Sequence, residues 1–136
     1  VPIYAEALAR LGIERAFVVS GDEALDELSL AGGNTLADVA GGQVSLTRID
    51  AAAAGLPHAP VAALRGGDAT HNAAALRALL MGQPGPYRDA VLFNAAAALL
   101  VAGVVADWPA GVEQAAEAID RRLARALLDC WIAIAS

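Results

Sequence analysis

Ala16-Phe17-Val18-Val19-Ser20-Gly21-Asp22-Glu23-Ala24-Leu25-Asp26-Glu27 is the stretch on which the reading of this chain turns. Four apolar residues in a row, with charges before them and Ser20-Gly21 after them, have the mark of a strand buried on both faces. Upstream, Ile3, Ala7, Leu8 and Leu11 recur at helical spacing. Pro2 suits the first turn of that helix and Gly12 its C-terminal stop. Helix, then buried strand, then glycine turn reads as half of a parallel-sheet unit, and hence an α/β domain.

The acids that follow the strand admit two readings. If 22–27 is helical, Asp22 faces Asp26 and Glu23 faces Glu27, and like charges at that spacing cost a few tenths of a kcal/mol per pair. Carboxylates favour a helix N-terminus, where the macrodipole offsets the repulsion. Alternatively, a hard divalent cation compensates them. Mg²⁺ is usually held by one or two carboxylates plus substrate phosphate oxygens and water. Ligands of open α/β sheets gather at the C-terminal ends of strands, where these acids lie. Spacing alone leaves both readings open.

Downstream, the spacing predicts two extended pieces over 35–49 flanking Gly41-Gly42, a pair suited to the positive φ of a tight hairpin. Val44 and Leu46 alternate with Ser45 and Thr47, as in a half-buried strand. Residues 51–60, with Gly55, Pro57 and Pro60, read as a connecting loop. Asp68 caps a helix running to about Met81 and stopped by Gly82. Pro84-Gly85-Pro86 is a turn, a long apolar helix follows from about Tyr87 to Gly103, and Pro109 opens the last helical region. There Glu117 and Arg121 form a favourable i,i+4 pair.

Composition narrows the function. The 136 residues are 57% hydrophobic and 18% charged, ample for a core, and only 4% aromatic, so that core is built of Ala, Leu and Val. Nine basic against fifteen acidic side chains give a net charge of −6, which argues against a phosphate-binding surface for nucleic acid. The uncharged stretch 90–106 falls short of a membrane span and reads as a buried helix. A single cysteine, Cys130, excludes an internal disulfide. With no basic segment leading into an apolar one at the start, the expected location is cytoplasmic.

Other chemistry-bearing residues read as structural. Arg65-Gly66-Gly67-Asp68 lacks the pattern of a phosphate loop, and a capping carboxylate there would repel phosphate. His58 and His71 have no zinc spacing and read as surface residues. Trp108 and Trp131 read as packing residues, and Cys130 as a buried thiol without a basic neighbour to activate it.

A family resemblance adds to this reading. Tyr4-Ala-Glu-Ala-Leu-Ala-Arg-Leu-Gly12, Ala16-Phe-Val-Val-Ser-Gly21, Leu25-Asp-Glu-Leu-Ser29, Ala63-Leu-Arg-Gly-Gly-Asp68 with Asn72, Tyr87-Arg-Asp-Ala-Val-Leu-Phe-Asn-Ala-Ala-Ala-Ala-Leu99 and Ala118-Ile-Asp120 together resemble anthranilate phosphoribosyltransferase, in order and over nearly the whole chain. The resemblance implies an α/β fold of the nucleoside phosphorylase/phosphoribosyltransferase type, mostly helices packed on a few strands. It implies a glycosyltransferase of tryptophan biosynthesis that moves phosphoribosyl from phosphoribosyl pyrophosphate to anthranilate with Mg²⁺. The family's Asp-Glu metal pair falls on Asp26 and Glu27.

The family's glycine-rich donor loop, its Asn-x-Ser/Thr segment, its mobile Lys-His-Gly-Asn loop and its N-terminal helical domain have no counterpart in this sequence. Residues 1–136 are therefore expected to be the C-terminal portion of the α/β domain, inactive alone. The parent enzyme would be a homodimer through the absent helical domain, with no nucleic-acid or membrane partner. Where the family commonly has His, this chain has Ser20. Where the family has a small-residue break after Ile-Asp, it has Arg121-Arg122, so the last two helices are expected to run together. A pyrimidine nucleoside phosphorylase and a non-catalytic nucleic-acid-binding relative share the fold and stand as alternatives.

Overall fold

The computed structural model describes residues 1–135. Helix α1 (Pro2–Arg10) leads into strand β1 (Arg15–Gly21), followed by β2 (Asn34–Ala40) and β3 (Gln43–Ile49). Two short 3₁₀ turns, Ala51–Ala54 and Val61–Leu64, cross to the helical half. That half comprises α2 (Ala69–Leu80), α3 (Pro86–Val101), α4 (Trp108–Asp120) and α5 (Leu123–Ala135). The result is the expected mixture of few strands and many helices.

The sheet corrects one expectation. Its order is β1-β2-β3 and both pairings are antiparallel, so β1 does not open a parallel unit within these residues. A parallel return needs a crossover, usually a helix. Here the connection 22–33 folds on itself, and β2 runs straight back along β1. The hairpin between β2 and β3 forms as expected, with Gly41 and Gly42 at φ 55° and 79°, both left-handed as a tight hairpin requires.

Both sheet faces are covered. Ala16 and Val18 of β1 join Ala37, Val39 and Val44 against Val1, Ala5 and Ala9 on the α1 side. Phe17 faces the other way and stacks on Trp108 at 6.2 Å, and Trp108 in turn meets the buried Phe93 of α3 at 5.4 Å. Yet β1 is only half-buried, because it forms one edge of the sheet. Strand β3 is the other edge. Leu46 is mostly exposed, so its alternation is only partly used.

Helix α1 turns a different face inward from the one its pattern suggested. Ala5 is fully buried, whereas Ile3 is 85% and Leu11 77% exposed. Small residues allow the helix to lie close on the sheet, leaving the larger apolar side chains outside.

The capping signals hold. Asp68 accepts from the His71 amide at 2.8 Å, and Asp107 accepts from Ala110 at the start of α4. Asn72 brackets Gly67 through both its amide groups, accepting from the nitrogen and donating to the oxygen, which confirms the structural reading of 65–68. Helix α3 is buried through Ala90, Leu92, Phe93 and Ala96. Among the described residues no helix is long and apolar enough to cross a membrane.

The junction at Arg121-Arg122 departs from expectation. Arg122 takes a left-handed φ of 62°, and α4 and α5 are separate helices. Carbonyls released at the end of α4 are used instead, with the Arg122 amide donating to Ile119 O. Helix α5 buries no residue fully, and so two further expectations fail. Trp131 is 64% exposed and Cys130 is exposed rather than packed.

Candidate functional site

The four acids lie in the loop between β1 and β2, directly past the C-terminal end of β1. The loop is not helical, which removes the i,i+4 repulsion considered from spacing. Ala24 takes φ 60°, a left-handed conformation that a non-glycine residue adopts at some cost and that breaks any helix there. Ser20 donates its hydroxyl to Leu25 O at 3.2 Å, and the Gly21 amide donates to the same oxygen. The chain is thus turned back onto the strand it has just left.

The far side of the loop is pinned from two directions. Asn34 is fully buried; its Oδ1 accepts from Ser29 N at 2.6 Å, and its amide donates to Ser29 O and Ile49 O. Asn94 of α3 accepts from Leu28 N at 2.9 Å and donates to Leu28 O at 3.0 Å. Leu28, Ser29 and Leu30 are buried beneath these clamps. Neither asparagine was singled out from sequence. Each acts through tertiary hydrogen bonds, and only the burial of an amide inside an apolar segment, as at Asn94, could have flagged one.

The acids divide into two pairs. Asp22 receives Arg48 through two nitrogens, at 2.8 and 2.5 Å, and Arg48 also donates to Thr35 at 3.0 Å. These hydrogen bonds from Arg48 hold the Asp22 carboxyl below its ordinary range and raise the guanidinium. Glu23 accepts from the Ser29 hydroxyl at 3.1 Å. Asp26 and Glu27, by contrast, are exposed and take no hydrogen bond or ion pair from any described residue. They sit between Leu25, tied to β1, and Leu28, tied to α3.

That arrangement suits a shared cation site better than a closed one. Among the described residues no three His, Cys, Asp or Glu side chains converge, so no all-protein metal cage exists. Two adjacent hard-oxygen donors, unpaired by protein cations and held on a braced loop, match the incomplete set that Mg²⁺ takes when substrate oxygens and water fill the remaining positions. His58 and His71 are both exposed, as expected, and neither belongs to the acidic loop, although His58 contacts the carbonyl of Ala31 in the later part of that β1–β2 connection.

A braced acidic loop at the C-terminal end of a strand, on a sheet packed between helices, accords with what comparison finds. The chain belongs to the glycosyl transferase family, a/b domain, which matches residues 1–125. Within it, the chain is similar to the anthranilate phosphoribosyltransferase of Novosphingobium aromaticivorans, 68% identical over 133 residues that cover 98% of this chain and 40% of that protein. The enzyme of the same name from Erythrobacter litoralis is 63% identical, with 99% and 41% covered.

The crystal structure of anthranilate phosphoribosyltransferase from Thermus thermophilus superposes with a TM-score of 0.86 at 38% identity, over 95% of this chain and 38% of that one. The Saccharomyces cerevisiae enzyme, solved in complex with PRPP and Mg, shares the fold, with a TM-score of 0.80 at 23% identity. The chain spans about two-fifths of the length of the curated relatives it matches.

Proposed function

We propose that these residues form the metal-carboxylate part of an enzyme that transfers phosphoribosyl from phosphoribosyl pyrophosphate to anthranilate in tryptophan biosynthesis. The observation that carries it is the contrast within one loop. Asp22 and Glu23 are consumed by Arg48 and Ser29, whereas Asp26 and Glu27 stay free on a segment anchored at both ends. The family resemblance assigns the metal pair to those same two positions, and the relatives carry the corresponding name.

Asp26 and Glu27 would hold the Mg²⁺, whose chemistry when bound is to neutralise charge gathering on a departing pyrophosphate. The chain's own part is positional. Ser20 and Asn94 fix the backbone on either side of the pair, so its carboxylates need little reorganisation when the ligand arrives. The aromatic amine of the acceptor is uncharged at neutral pH, so holding it near the ribosyl carbon would supply much of the remaining acceleration.

Alone, the 136 residues are proposed to turn over nothing, since they span two-fifths of their relatives and carry none of the donor-loop motifs. The nucleoside phosphorylase reading is not favoured, and neither is nucleic-acid binding, which the net charge of −6 opposes. The test is a Mn²⁺ relaxation titration with pyrophosphate present, comparing the chain with its Asp26→Asn/Glu27→Gln variant. Metal–pyrophosphate binding that disappears in the variant supports the assignment. Binding of equal strength in both sinks it.

A further inference from the structure

The acids of the β1–β2 loop share a single protein cation. Among the described residues Arg48, near the end of β3, is the only basic side chain that pairs with any of them, and it takes Asp22 alone. The pair is built into the fold. Arg48 meets both carboxylate oxygens of Asp22, at 2.8 and 2.5 Å, and donates as well to Thr35 of β2 at 3.0 Å. Gly33 leaves the room for it: a Cβ there would run into Arg48 Nη2 and lie 3.0 Å from Asp22 Oδ2. The Asp22 amide donates to Gly33 O, so its main chain is drawn to the same side as its carboxylate.

We infer that Arg48 withholds Asp22 from the cation at Asp26 and Glu27, so that the loop offers a metal two carboxylates instead of three. The inference rests on the assignment of the metal to that pair. Asp22 is close to the pair by backbone: Gly21 N donates to Leu25 O at 3.1 Å, and Asp22 and Asp26 each follow one end of this bond. Freed of Arg48, Asp22 can swing across the closed turn toward Asp26, whereas Glu23 stays tied to the Ser29 hydroxyl. With Arg48 in place, no three His, Cys, Asp or Glu side chains converge among the described residues.

The number of carboxylates decides what such a site binds. Mg²⁺ is usually held by one or two of them with water and substrate phosphate oxygens, and the charge of the ligand set tunes how tightly a bare cation is held. A loop with two carboxylates therefore binds a lone cation weakly and binds it well once pyrophosphate oxygens complete the shell. A third carboxylate would take the metal ahead of the substrate and repel the incoming pyrophosphate. Arg48 thus makes cation binding depend on the phosphate groups of the substrate.

Mn²⁺ binding to the native chain and to Arg48→Gln, with and without pyrophosphate, tests this. Both side chains of the pair are about half exposed, so the substitution should leave the fold intact. Mn²⁺ alone should bind Arg48→Gln about fivefold more tightly, the scale of a further unit charge acting on a divalent ion across several ångströms of water. Relaxivity should show a bound water lost from the metal, and pyrophosphate should enhance binding less than it does in the native chain. Arg48→Gln/Asp22→Asn should return affinity and bound water to the native values. Tighter binding with the bound water unchanged means that Arg48 acts through its charge alone, and overturns the proposal; so does an affinity equal to the native one. Failure of the metal assignment is read separately, as Mn²⁺–pyrophosphate binding that survives Asp26→Asn/Glu27→Gln with Arg48 in place, and it takes this proposal with it.

Discussion

The side-chain amide of Asn94 pairs with both backbone groups of Leu28, accepting from its nitrogen at 2.9 Å and donating to its oxygen at 3.0 Å. A residue of the third helix thereby fixes the loop that carries Asp26 and Glu27, across 66 positions of sequence. Asn94 also donates to Ala90 O, so both its polar atoms are satisfied in a half-buried setting.

Replacing Asn94 with Leu should leave the Leu28 N–H and C=O without partners. The expected loss is about 1–3 kcal/mol, the cost of such orphaned groups, measured by urea unfolding. Faster amide exchange at Leu28 and weaker Mn²⁺–pyrophosphate binding should accompany it. A stability loss with unaltered metal binding would show that the clamp serves the fold alone.

Asp22 and Arg48 predict a pH signature. Arg48 holds the Asp22 carboxyl below its ordinary range, so the folded state favours the ionised form more than the unfolded state does. The contribution is fully present above the unfolded value, near 3.9, and is lost as pH falls through the folded one. Acid unfolding of the native chain should thus begin on the acid side of that value, and Asp22→Asn should flatten this part of the profile. Because the pair is exposed, 1 M salt, with a screening length of about 3 Å, should shrink the difference between the two proteins.

What the sequence revealed and what it hid divide along one physical line. The hairpin was legible because Gly41-Gly42 is a local signal. The starts of α2 and α4 were legible because Asp68 and Pro109 act within one turn of themselves. The acidic loop was misjudged as a possible helix because its shape is set by Asn34 and Asn94, whose partners are backbone atoms that no pattern in 22–27 encodes. Its position past the end of β1 was legible all the same, since an apolar run followed by Ser-Gly is enough to end a strand. The outward faces of α1 and α5 were misread for a further reason. Periodicity shows that a helix has an apolar stripe, but Ile3, Leu11 and Trp131 lie on stripes that nothing in these residues covers.

Gly111 gives a prediction about the helical layer. A Cβ built there would lie 2.8 Å from Ala96 Cβ and 3.0 Å from its Cα, so α3 and α4 meet with no room for a methyl group. Gly111→Ala gains up to about 1 kcal/mol in helix propensity but should lose more to overpacking, typically about 1–3 kcal/mol. A net decrease in the chemical unfolding midpoint is expected. Adding Ala96→Gly should recover part of the packing loss, while a midpoint that rises in the single variant would mean that the helices separate freely.

Asp38 makes the opposite prediction, a polar residue whose removal should stabilise. It stands on β2 opposite Phe17 and Ser45, and its Oδ1 is buried without a hydrogen-bond partner. Its other oxygen lies 3.6 Å from Arg15, whose side chain is 45% exposed and also lies over the Phe17 ring at 5.9 Å. Arg15 therefore keeps water and an aromatic neighbour when the carboxylate goes, so no charge is stranded. Asp38→Val removes the unsatisfied oxygen and supplies a side chain suited to a strand, and should raise stability by about 1 kcal/mol. Asp38→Asn keeps a polar atom at the same place and should give little or none of that gain. Thermal and urea unfolding of the two variants decide the matter: equal stability for Val and Asn would show that the buried oxygen carries no penalty.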